Sequence, residues 1–456
     1  MRRMQLKGKR VTVMGLGRFG GGSGVAKFLL GQGAAVTVTD LDAPENLAEP
    51  VAALGDGVTY HLGGHRPEDF TGAGLVVVNP AVKPGNEFVE LARQSGVPVT
   101  TEINLFFERC PARIIGVTGS VGKTTTVSMI GHALAGPRVW VGGNIGRSLL
   151  GELDEMSGED VVVLELSSAQ LHRLVPTGRA PDISVVTNIS PNHIDWHGSM
   201  GRYVAAKKHI VTAQSPDGVA ALNYDDEVLR GWAGDCAAPV LLFSTLEELP
   251  DGVFVRGGKI VARLQGNETV VLDVAGLKVP GAHNVSNAAA AVAACAAAGA
   301  DLRAAGERLA EFEGAEHRLE FVREAGGVRY FNDSKATTPA SSVAALRSFD
   351  EPTVLILGGR DKGAEYDGIA AEAARCRAVV LVGEMADRLA ALLDAKAPGL
   401  TKVRATSFEN AVTSAAGLAR PGDVVLLSPA CTSYDMFKNF EERGREFKDI
   451  VRRLSG

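Results

Sequence analysis

Cysteine is scarce in this chain, and long apolar runs are absent. Five cysteines are scattered through 456 residues without a CxxC pair, which excludes a disulfide framework and favours a reducing compartment. The most apolar stretch, residues 287–300, is mainly alanine and is shorter than the roughly 20 residues that a membrane span needs. The basic start is followed by an apolar run that breaks at Gly15, too early for a signal peptide. We therefore predict a soluble, cytoplasmic protein without membrane insertion.

The chain also lacks an excess of positive charge. It has 47 Lys and Arg against 53 Asp and Glu, so its formal net charge is −6. Non-specific nucleic-acid binding needs a clustered excess of cations over phosphate, so we predict no nucleic-acid partner. An anionic ligand must be held by a few local cations against the overall sign of the protein. We expect small-molecule substrates and a monomer.

Short β-branched segments alternate with Ala- and Leu-rich helical patterns along most of the sequence. This alternation predicts an α/β protein with largely parallel sheets. The length suits about three domains of roughly 150 residues each, and we place them at residues 1–110, 111–314 and 315–456. Residues 252–274 alternate in polarity and predict antiparallel strands. The other predicted strands are 10–14, 35–40, 74–78, 113–118, 161–166, 183–188, 328–331, 353–357, 378–382 and 424–427.

A first glycine loop, Gly15-Leu16-Gly17-Arg18-Phe19-Gly20, follows a predicted strand and opens a helical pattern. Asp40 ends the next strand, as the acid of a dinucleotide-binding fingerprint would. The pattern alone leaves three readings open: a nicotinamide cofactor, the diphosphate of a UDP-sugar, or a tight turn without a ligand.

A second glycine loop carries a stronger signal. Residues 114–125 read IIGVTGSVGKTT, a strand, a glycine loop and a helix start. Backbone N–H groups of such a loop cradle phosphate, Lys123 can reach the β and γ oxygens, and the Thr124 hydroxyl can bind Mg²⁺. Val117 stands where the full Walker pattern has its first glycine. A chance GKT is the alternative, but the apolar strand before it favours a nucleoside triphosphate site.

Polar residues follow two later strands. Glu165 ends the apolar run at 161–164, where open α/β sheets bind ligands. His193 and Asp195 follow the strand predicted at 183–188. A lone histidine is more often a surface or core residue than a ligand, but a place after a strand end and beside a P-loop favours metal or phosphate contact.

These motifs together resemble the Mur ligases, which build the peptide stem of bacterial peptidoglycan. That family's P-loop also lacks the first Walker glycine, although it usually has Asn where this chain has Val121. Three further segments are similar to its signatures: Asn188…His193…Asp195 with Tyr203 and Ala205-Ala206-Lys207; Gly281-Ala282-His283-Asn284…Asn287; and His317-Arg318-Leu319-Glu320. Residues 331–337, 358–363 and 427–440 resemble the branch that adds D-glutamate.

The resemblance implies a fold and a reaction. The expected domains are a Rossmann-like UDP-binding domain, a central P-loop ATPase-like parallel sheet and a Rossmann-like C-terminal domain. The expected reaction is ATP-driven amide formation, in which the carboxylate of UDP-N-acetylmuramoyl-L-alanine takes the γ-phosphoryl group and the amine of D-glutamate attacks the acyl phosphate. Lys123, His193 and Lys207 are the implied catalytic residues.

The resemblance also implies binding roles. Thr124 and Glu165 would bind one Mg²⁺, and His193 with a carbamylated Lys207 a second. The ATP contacts would be Gly119, Ser120, Gly122, Lys123, Thr124, Thr125, Asn287, Arg318 and Asp333. The UDP-substrate contacts would be Gly17, Arg18, Phe19, Asp40 and Asn144. The D-glutamate contacts would be Thr337, Lys362, Ser433 and Phe440.

Structural alternatives remain for several of these residues. Asn144 could cap a turn, Asn287 could start a helix, and Arg318 could pair with Asp333 across a domain interface. Phe440 could belong to the core, and Lys207 could be a solvated charge equivalent to Lys208. Two other functions also remain, a nicotinamide-dependent oxidoreductase and a P-loop switch protein.

Overall fold

Three sheets with helices between their strands make up this computed structural model, which describes residues 4–17, 21–136, 138–145, 148–361 and 363–454. The predicted class, three-domain α/β with mainly parallel sheets, is confirmed. Among the described residues, no helix combines the length and the apolar character that crossing a membrane requires.

The first sheet is parallel and has the strand order β3-β2-β1-β4-β5. Its central strands are apolar on both faces because helices cover both sides. The order changes direction beside β1, so the loops after β1 and β4 border a crevice of the kind that binds ligands in open α/β sheets. The elements are β1 (Arg10–Met14), α1 (Gly21–Gly31), β2 (Ala35–Asp40), α2 (Ala48–Leu54), β3 (Val58–Leu62), α3 (Pro67–Thr71), β4 (Leu75–Val78), α4 (Glu87–Gln94), β5 (Val99–Thr100) and α5 (Glu102–Arg109).

The second sheet has nine strands in the order β14-β13-β12-β11-β10-β9-β6-β8-β7. Strands β6 to β12 are parallel, and β12 pairs antiparallel with β13, which confirms the prediction for 252–274. The strands are β6 (Arg113–Thr118), β7 (Val139–Gly143), β8 (Val161–Glu165), β9 (Ile183–Val186), β10 (Val219–Asn223), β11 (Val240–Ser244), β12 (Gly252–Arg256), β13 (Lys259–Leu264) and β14 (Asn267–Asp273). The helices along this part of the chain are α6 (Lys123–Leu134), α7 (Ser168–Leu174), α8 (Ile194–His197), α9 (Met200–Thr212), α10 (Glu227–Arg230), α11 (Ala282–Ala298) and α12 (Leu302–Glu311).

The third sheet has the order β15-β16-β20-β17-β18-β19, and only the β15–β16 pair is antiparallel. Apolar clusters cover both of its faces. The strands are β15 (Glu320–Ala325), β16 (Val328–Asn332), β17 (Thr353–Gly358), β18 (Ala378–Val382), β19 (Thr401–Arg404) and β20 (Val424–Ala430). The helices are α13 (Pro339–Leu346), α14 (Asp367–Glu372), α15 (Ala386–Lys396), α16 (Phe408–Leu418) and α17 (Phe440–Arg453).

The chain forms two compact units. The first comprises residues 1–271 and 289–306, and the second comprises 272–288 and 307–456. The first two sheets lie in the first unit, apart from the last two residues of β14, and the third sheet lies in the second. The domain boundaries at 110 and 314 stay predictions.

Candidate active site

The loop between β6 and α6 has the geometry of a phosphate-binding turn. Gly119 has φ 154°, and a Cβ there would lie 2.0 Å from the Thr187 hydroxyl oxygen, so only glycine fits. Gly122 has φ 83° and precedes α6 without a side-chain cap. The N–H groups of the first helical turn therefore have no capping side chain and can receive an anion.

The side chain of Lys123 folds back over the loop between β6 and α6. Its Nζ donates to the carbonyl oxygens of Gly119 and Ser120, each at 3.0 Å. The Ser120 hydroxyl is 2.7 Å from the Tyr203 hydroxyl, which fixes the loop to α9. Thr125, in the first turn of α6, is buried. The Lys123 ammonium therefore lies beside the loop, where phosphate oxygens of a bound nucleotide would take the place of the Gly119 and Ser120 carbonyl oxygens.

Val121, the departure from the family pattern, points away from the loop interior. Its side chain is 62% exposed, while its N–H donates to Asn188 Oδ1 at 3.0 Å. The backbone supplies the structural contact, so an apolar side chain is compatible with this position.

Glu165 forms the acidic part of the site. It is buried at the end of β8. The Thr124 hydroxyl donates to its Oε2 at 2.6 Å, and Asn144 Nδ2 donates to its Oε1 at 2.9 Å. A carboxylate beside a hydroxyl provides the hard oxygen ligands that Mg²⁺ prefers. The three predicted residues therefore meet, although no group of three His, Cys, Asp or Glu side chains suited to a metal occurs among the described residues.

Lys207 lies beneath the same loop and is 1% exposed. Its Nζ donates to Thr118 Oγ1 at 3.0 Å and to the Gly119 carbonyl oxygen at 2.8 Å. Burial, with repulsion from Lys123, holds the pKa of this amine well below the ordinary lysine value, although Glu165 opposes the shift. Lys208 instead pairs with Asp235 at 2.6 Å, so the alternative of two equivalent solvated lysines is wrong.

His193 lies immediately before α8 and has φ 50°, a left-handed conformation. Burial, then the charges of Lys123 and Lys207, lower the pKa of its imidazole. A neutral imidazole has the lone pair that a metal ligand needs, and an imidazolium does not.

Asp40 organises the first glycine loop. Its Oδ2 accepts hydrogen bonds from the N–H groups of Leu16 (2.8 Å) and Gly17 (3.0 Å), and its Oδ1 accepts from the N–H of Asp42 at 2.9 Å. Its carboxylate is thus engaged by the backbone, and a direct ligand contact stays a prediction. Arg18 and Phe19 lie outside the described residues.

A Cβ on Gly22 would lie 2.4 Å from the Gly15 carbonyl oxygen, so the close approach of α1 to the loop after β1 depends on Gly22.

A cavity of about 510 Å³ extends from the first glycine loop to Asn144, the hydrogen-bond partner of Glu165. Gly15 and Asn79 line it from the first sheet, and Asn144, His193 and Trp196 line it from the second. Sequence reasoning missed Asn79 and Trp196. Asn79 directly follows β4, and Trp196 is three residues after His193, so their positions were the available signals.

The second unit collects part of the predicted C-terminal site. Asp333 is buried and accepts hydrogen bonds from the Ser428 hydroxyl at 2.8 Å and the Leu319 N–H at 3.3 Å. Burial raises the pKa of Asp333 to about 7, while Ser428 and the charge of Arg318 oppose the rise. Asn287 is buried, and its Nδ2 donates to Asn284 Oδ1 at 3.1 Å.

The predicted D-glutamate residues have mixed environments. Ser433 is buried, and Thr337 is half-buried. Phe440 begins α17 and is half-buried, with its ring edge-on to His317 at 6.0 Å, so its role in binding stays a prediction. Lys362 lies outside the described residues.

Arg443 is a supporting residue that the sequence analysis missed. It is 1% exposed. Its guanidinium donates to the hydroxyl and carbonyl oxygens of Ser334 at 3.0 and 2.9 Å, and to the carbonyl oxygen of Cys431 at 3.2 Å. It therefore joins the segments that carry Asp333 and Ser433.

Comparison with known proteins identifies the family. Residues 9–101 match the Mur ligase MurD-like N-terminal domain, 117–295 the Mur ligase middle domain, and 317–431 the glutamate ligase domain of Mur ligases. The UDP-N-acetylmuramoylalanine–D-glutamate ligase of Pelotomaculum thermopropionicum is 44% identical over 97% of both chains. That of Symbiobacterium thermophilum is 42% identical over 98% of both chains.

Solved structures share the fold at lower identity. The UDP-N-acetylmuramate-alanine ligase MurC of Thermotoga maritima has a TM-score of 0.63 and 21% identity, covering 97% of this chain and 99% of its own. The MurF ligase of the same organism, solved with ADP, has a TM-score of 0.55 and 19% identity, covering 98% and 96%. From the full-length relatives and the three matched domains, it follows that this chain belongs to the UDP-N-acetylmuramoylalanine–D-glutamate ligases of the Mur ligase family.

Proposed function

We propose that the chain joins D-glutamate to UDP-N-acetylmuramoyl-L-alanine with hydrolysis of ATP to ADP and phosphate. One observation carries this proposal: Asn144 lines the cavity that the first glycine loop also lines, and through Glu165 it is hydrogen-bonded to Thr124 of the phosphate loop. A nicotinamide enzyme would need only the first loop, and a simple P-loop switch would need only the second.

The nucleotide is held by the second loop. The N–H groups around Gly119, Ser120, Gly122 and Thr125 surround the phosphates, and Lys123 exchanges its two carbonyl contacts for phosphate oxygens. Asn287, Arg318 and Asp333 are the other residues that we propose as ATP contacts. The half-buried Arg318 acts on buried Asp333 electrostatically.

Thr124 and Glu165 would hold one Mg²⁺, because their oxygens already lie together at 2.6 Å. Bound Mg²⁺ would neutralise charge on the transferred phosphoryl group. His193 and Lys207 would hold the second ion. Lys207 must then become an oxygen ligand, since an ammonium has no lone pair for a metal.

Carbamylation would make that conversion. A neutral amine attacks CO₂, forms an N–C bond and loses a proton, which leaves an anionic carbamate. The burial of Lys207 favours its neutral form. Its contacts with Thr118 and Gly119 hold the nitrogen beside the phosphate loop, where a carbamate would supply the anionic oxygen that suits Mg²⁺.

The reaction then needs alignment more than a protein nucleophile. A carboxylate oxygen of the alanyl group attacks the γ-phosphorus and ADP leaves. The amine of D-glutamate next attacks the acyl carbon, phosphate leaves and the amine loses a proton. Asn144, which lines the cavity, would orient the muramoyl substrate. The other proposed contacts of this substrate are Gly17, Arg18, Phe19 and Asp40.

D-Glutamate is proposed to bind in the second unit, where Thr337, Lys362, Ser433 and Phe440 would surround its two carboxylates. Hydroxyl and ammonium donors suit such anions. We also propose that the protein works as a cytoplasmic monomer. All five of its cysteines are free, which fits a reducing compartment.

Phosphate release from ATP tests this function. We expect rapid release only when both UDP-N-acetylmuramoyl-L-alanine and D-glutamate are present, with L-glutamate as the matched comparison. Lys123→Ala should lose orders of magnitude in turnover, whereas Lys208→Ala should be close to wild type because Lys208 lies in a surface pair. Release that ignores the amino acid would favour a switch protein, and oxidation of NADH would favour an oxidoreductase.

Lys207→Ala tests the carbamate separately. The variant should lose most activity, and acetate should restore part of it by supplying a carboxylate in the vacated space. Lys208→Ala is again the control. Equal behaviour of the two variants would remove the carbamate from the mechanism.

A further inference from the structure

A second cavity, of about 650 Å³, lies on another part of the first unit. It is formed by the region from the end of α4 to the first turns of α5, and by the end of α7. Its ionisable lining residues are Arg93, His172 and Arg173, and none of the described residues lining it is acidic. The hydroxyl-bearing side chains of Thr100 and Thr101 also line it. Arg93 pairs with Glu90 at 2.5 Å, so Arg173 is the lining guanidinium that lacks a carboxylate partner among the described residues.

Arg173 is the unusual group in this wall. It is only 8% exposed. Its Nη2 donates to the Val82 carbonyl oxygen at 2.9 Å, but its Nε has no hydrogen-bond partner among the described residues. No carboxylate of the described chain lies within ion-pair distance of it.

A buried, uncompensated guanidinium is costly. Burial and repulsion from Arg93 lower the pKa of Arg173, with Glu90 giving only partial compensation. Buried charges are normally paired. Asn104 adds a second unmatched atom, because its Nδ2 donates to the Arg173 carbonyl oxygen at 3.0 Å while its Oδ1 has no partner among the described residues.

We propose that this cavity binds a small oxyanion, a phosphate or carboxylate group, held by the Arg173 guanidinium, with the Glu90-paired Arg93 as a second cation at its edge. The anion supplies the charge that Arg173 lacks within the fold. The Thr100 hydroxyl is an additional donor in the same wall. This site is separate from the phosphate loop, and its existence does not depend on the proposed ligase activity.

Packing connects this anion site to the substrate cavity. Helix α7 lines the substrate cavity with Ser168 and Gln170, and the anion site with His172 and Arg173. The His172 ring packs edge-on against Trp196, with ring centres 5.4 Å apart, and Trp196 lines the substrate cavity. Anion binding at Arg173 therefore alters the environment of Trp196.

Thermal unfolding in the presence of inorganic phosphate tests the binding. All measurements are made with a saturating non-hydrolysable ATP analogue and matched chloride, so that the γ-phosphate position of the phosphate loop is filled throughout. At 100 times the dissociation constant, we expect the melting temperature of the wild type to rise by about 3 °C. Arg173→Met should show no such rise. Arg138→Met, which removes a surface ion pair with Glu159, should behave as the wild type.

The starting stabilities give a second criterion. Without phosphate, Arg173→Met should melt no lower than the wild type, because it removes an uncompensated buried charge. If Arg173→Met does not fold, Arg93→Gln is the substitute, and its phosphate-dependent rise should be reduced. Equal rises in the wild type and every variant would overturn the proposal.

Replacing phosphate by succinate distinguishes phosphate binding from carboxylate binding, since the anion that gives the larger rise in melting temperature belongs to the preferred class.

Trp fluorescence then tests the connection to the substrate cavity. Phosphate should change the emission of the wild type but not that of Trp196→Phe, which keeps Trp140 and Trp232. Unchanged emission in a wild type that shows the melting shift would overturn the connection and leave the binding site standing.

Discussion

The buried amine of Lys207 should make the stability of the folded protein depend on pH. Lys207 is 1% exposed and contacts only neutral oxygens, the Thr118 hydroxyl and the Gly119 carbonyl, through the hydrogen bonds of its Nζ. Lys207→Met replaces it with an apolar side chain of similar length. The variant lacks a titrating group at this position, so the difference between the two proteins isolates the amine.

The sign and size of the effect follow from proton linkage. Burial lowers the pKa of Lys207, so the unfolded chain binds this proton more tightly than the folded chain. The contribution of Lys207 to the free energy of unfolding therefore rises with pH between its lowered pKa and about 10.4, the ordinary lysine value. One proton gives a slope of about 1.4 kcal/mol per pH unit. From pH 7 to 9, the wild type should gain up to about 2.7 kcal/mol relative to Lys207→Met.

Urea unfolding followed by tryptophan fluorescence measures this difference. The buffer must be free of CO₂, because carbamylation would replace the amine by an anion. Lys208→Met is the matched control, and it should follow the wild type at every pH because Lys208 lies in a surface ion pair. Parallel pH curves for the wild type and Lys207→Met would refute the reasoning, since they would mean that the folded amine is solvated.

Three further substitutions test other parts of the site. Gly119→Ala should cost about 2 kcal/mol in stability and weaken ATP binding at least tenfold, as calorimetry would measure, because its Cβ would collide with Thr187 Oγ1. Asp333→Asn should remove a pH dependence of the free energy of unfolding. Because burial raises the pKa of Asp333 to about 7, this residue contributes stability below about pH 4 that is lost as the pH rises through 7. The loss should reach up to about 4 kcal/mol, as measured by denaturant unfolding. Arg443→Lys should raise the KM for D-glutamate more than the KM for ATP, because one ammonium cannot reach both Ser334 and Cys431. Arg445→Lys, at an exposed position, is the control. Equal changes in the two KM values would contradict this prediction.

Many apolar strands were predictable because a parallel strand covered on both faces consists mainly of aliphatic residues. Thus β1, β2, β6 and β18 have the predicted bounds. The prediction missed β3 (VTYHL) and β19 (TKVR), which mix polar and apolar residues, and also the apolar parallel strands β10 (VAALN) and β11 (VLLFS). The strand predicted at 183–188 ends at Val186, since Thr187 and Asn188 instead bond to the phosphate loop.

Within the site, sequence motifs were enough to predict the functional residues that lie close together in the chain. The spacing of Gly119, Gly122 and Lys123 was enough to predict a phosphate loop, because backbone N–H geometry depends on a few consecutive residues. The resemblance to the Mur ligases also selected Glu165, His193 and Lys207. Their meeting with Thr124 and the loop carbonyls depends on β6, β8 and β9 being adjacent, an order that no local pattern contains.

The sequence by itself determined the α/β class, the phosphate loop and the family. Tertiary structure decided which polar groups are paired. It engaged Asp40 with the backbone of the first glycine loop, buried Lys207 while leaving its neighbour at the surface, and left Arg173 without a carboxylate partner among the described residues. The physical reason is that burial and pairing depend on neighbours distant in sequence, and both set the cost of a charge far more strongly than residue type does.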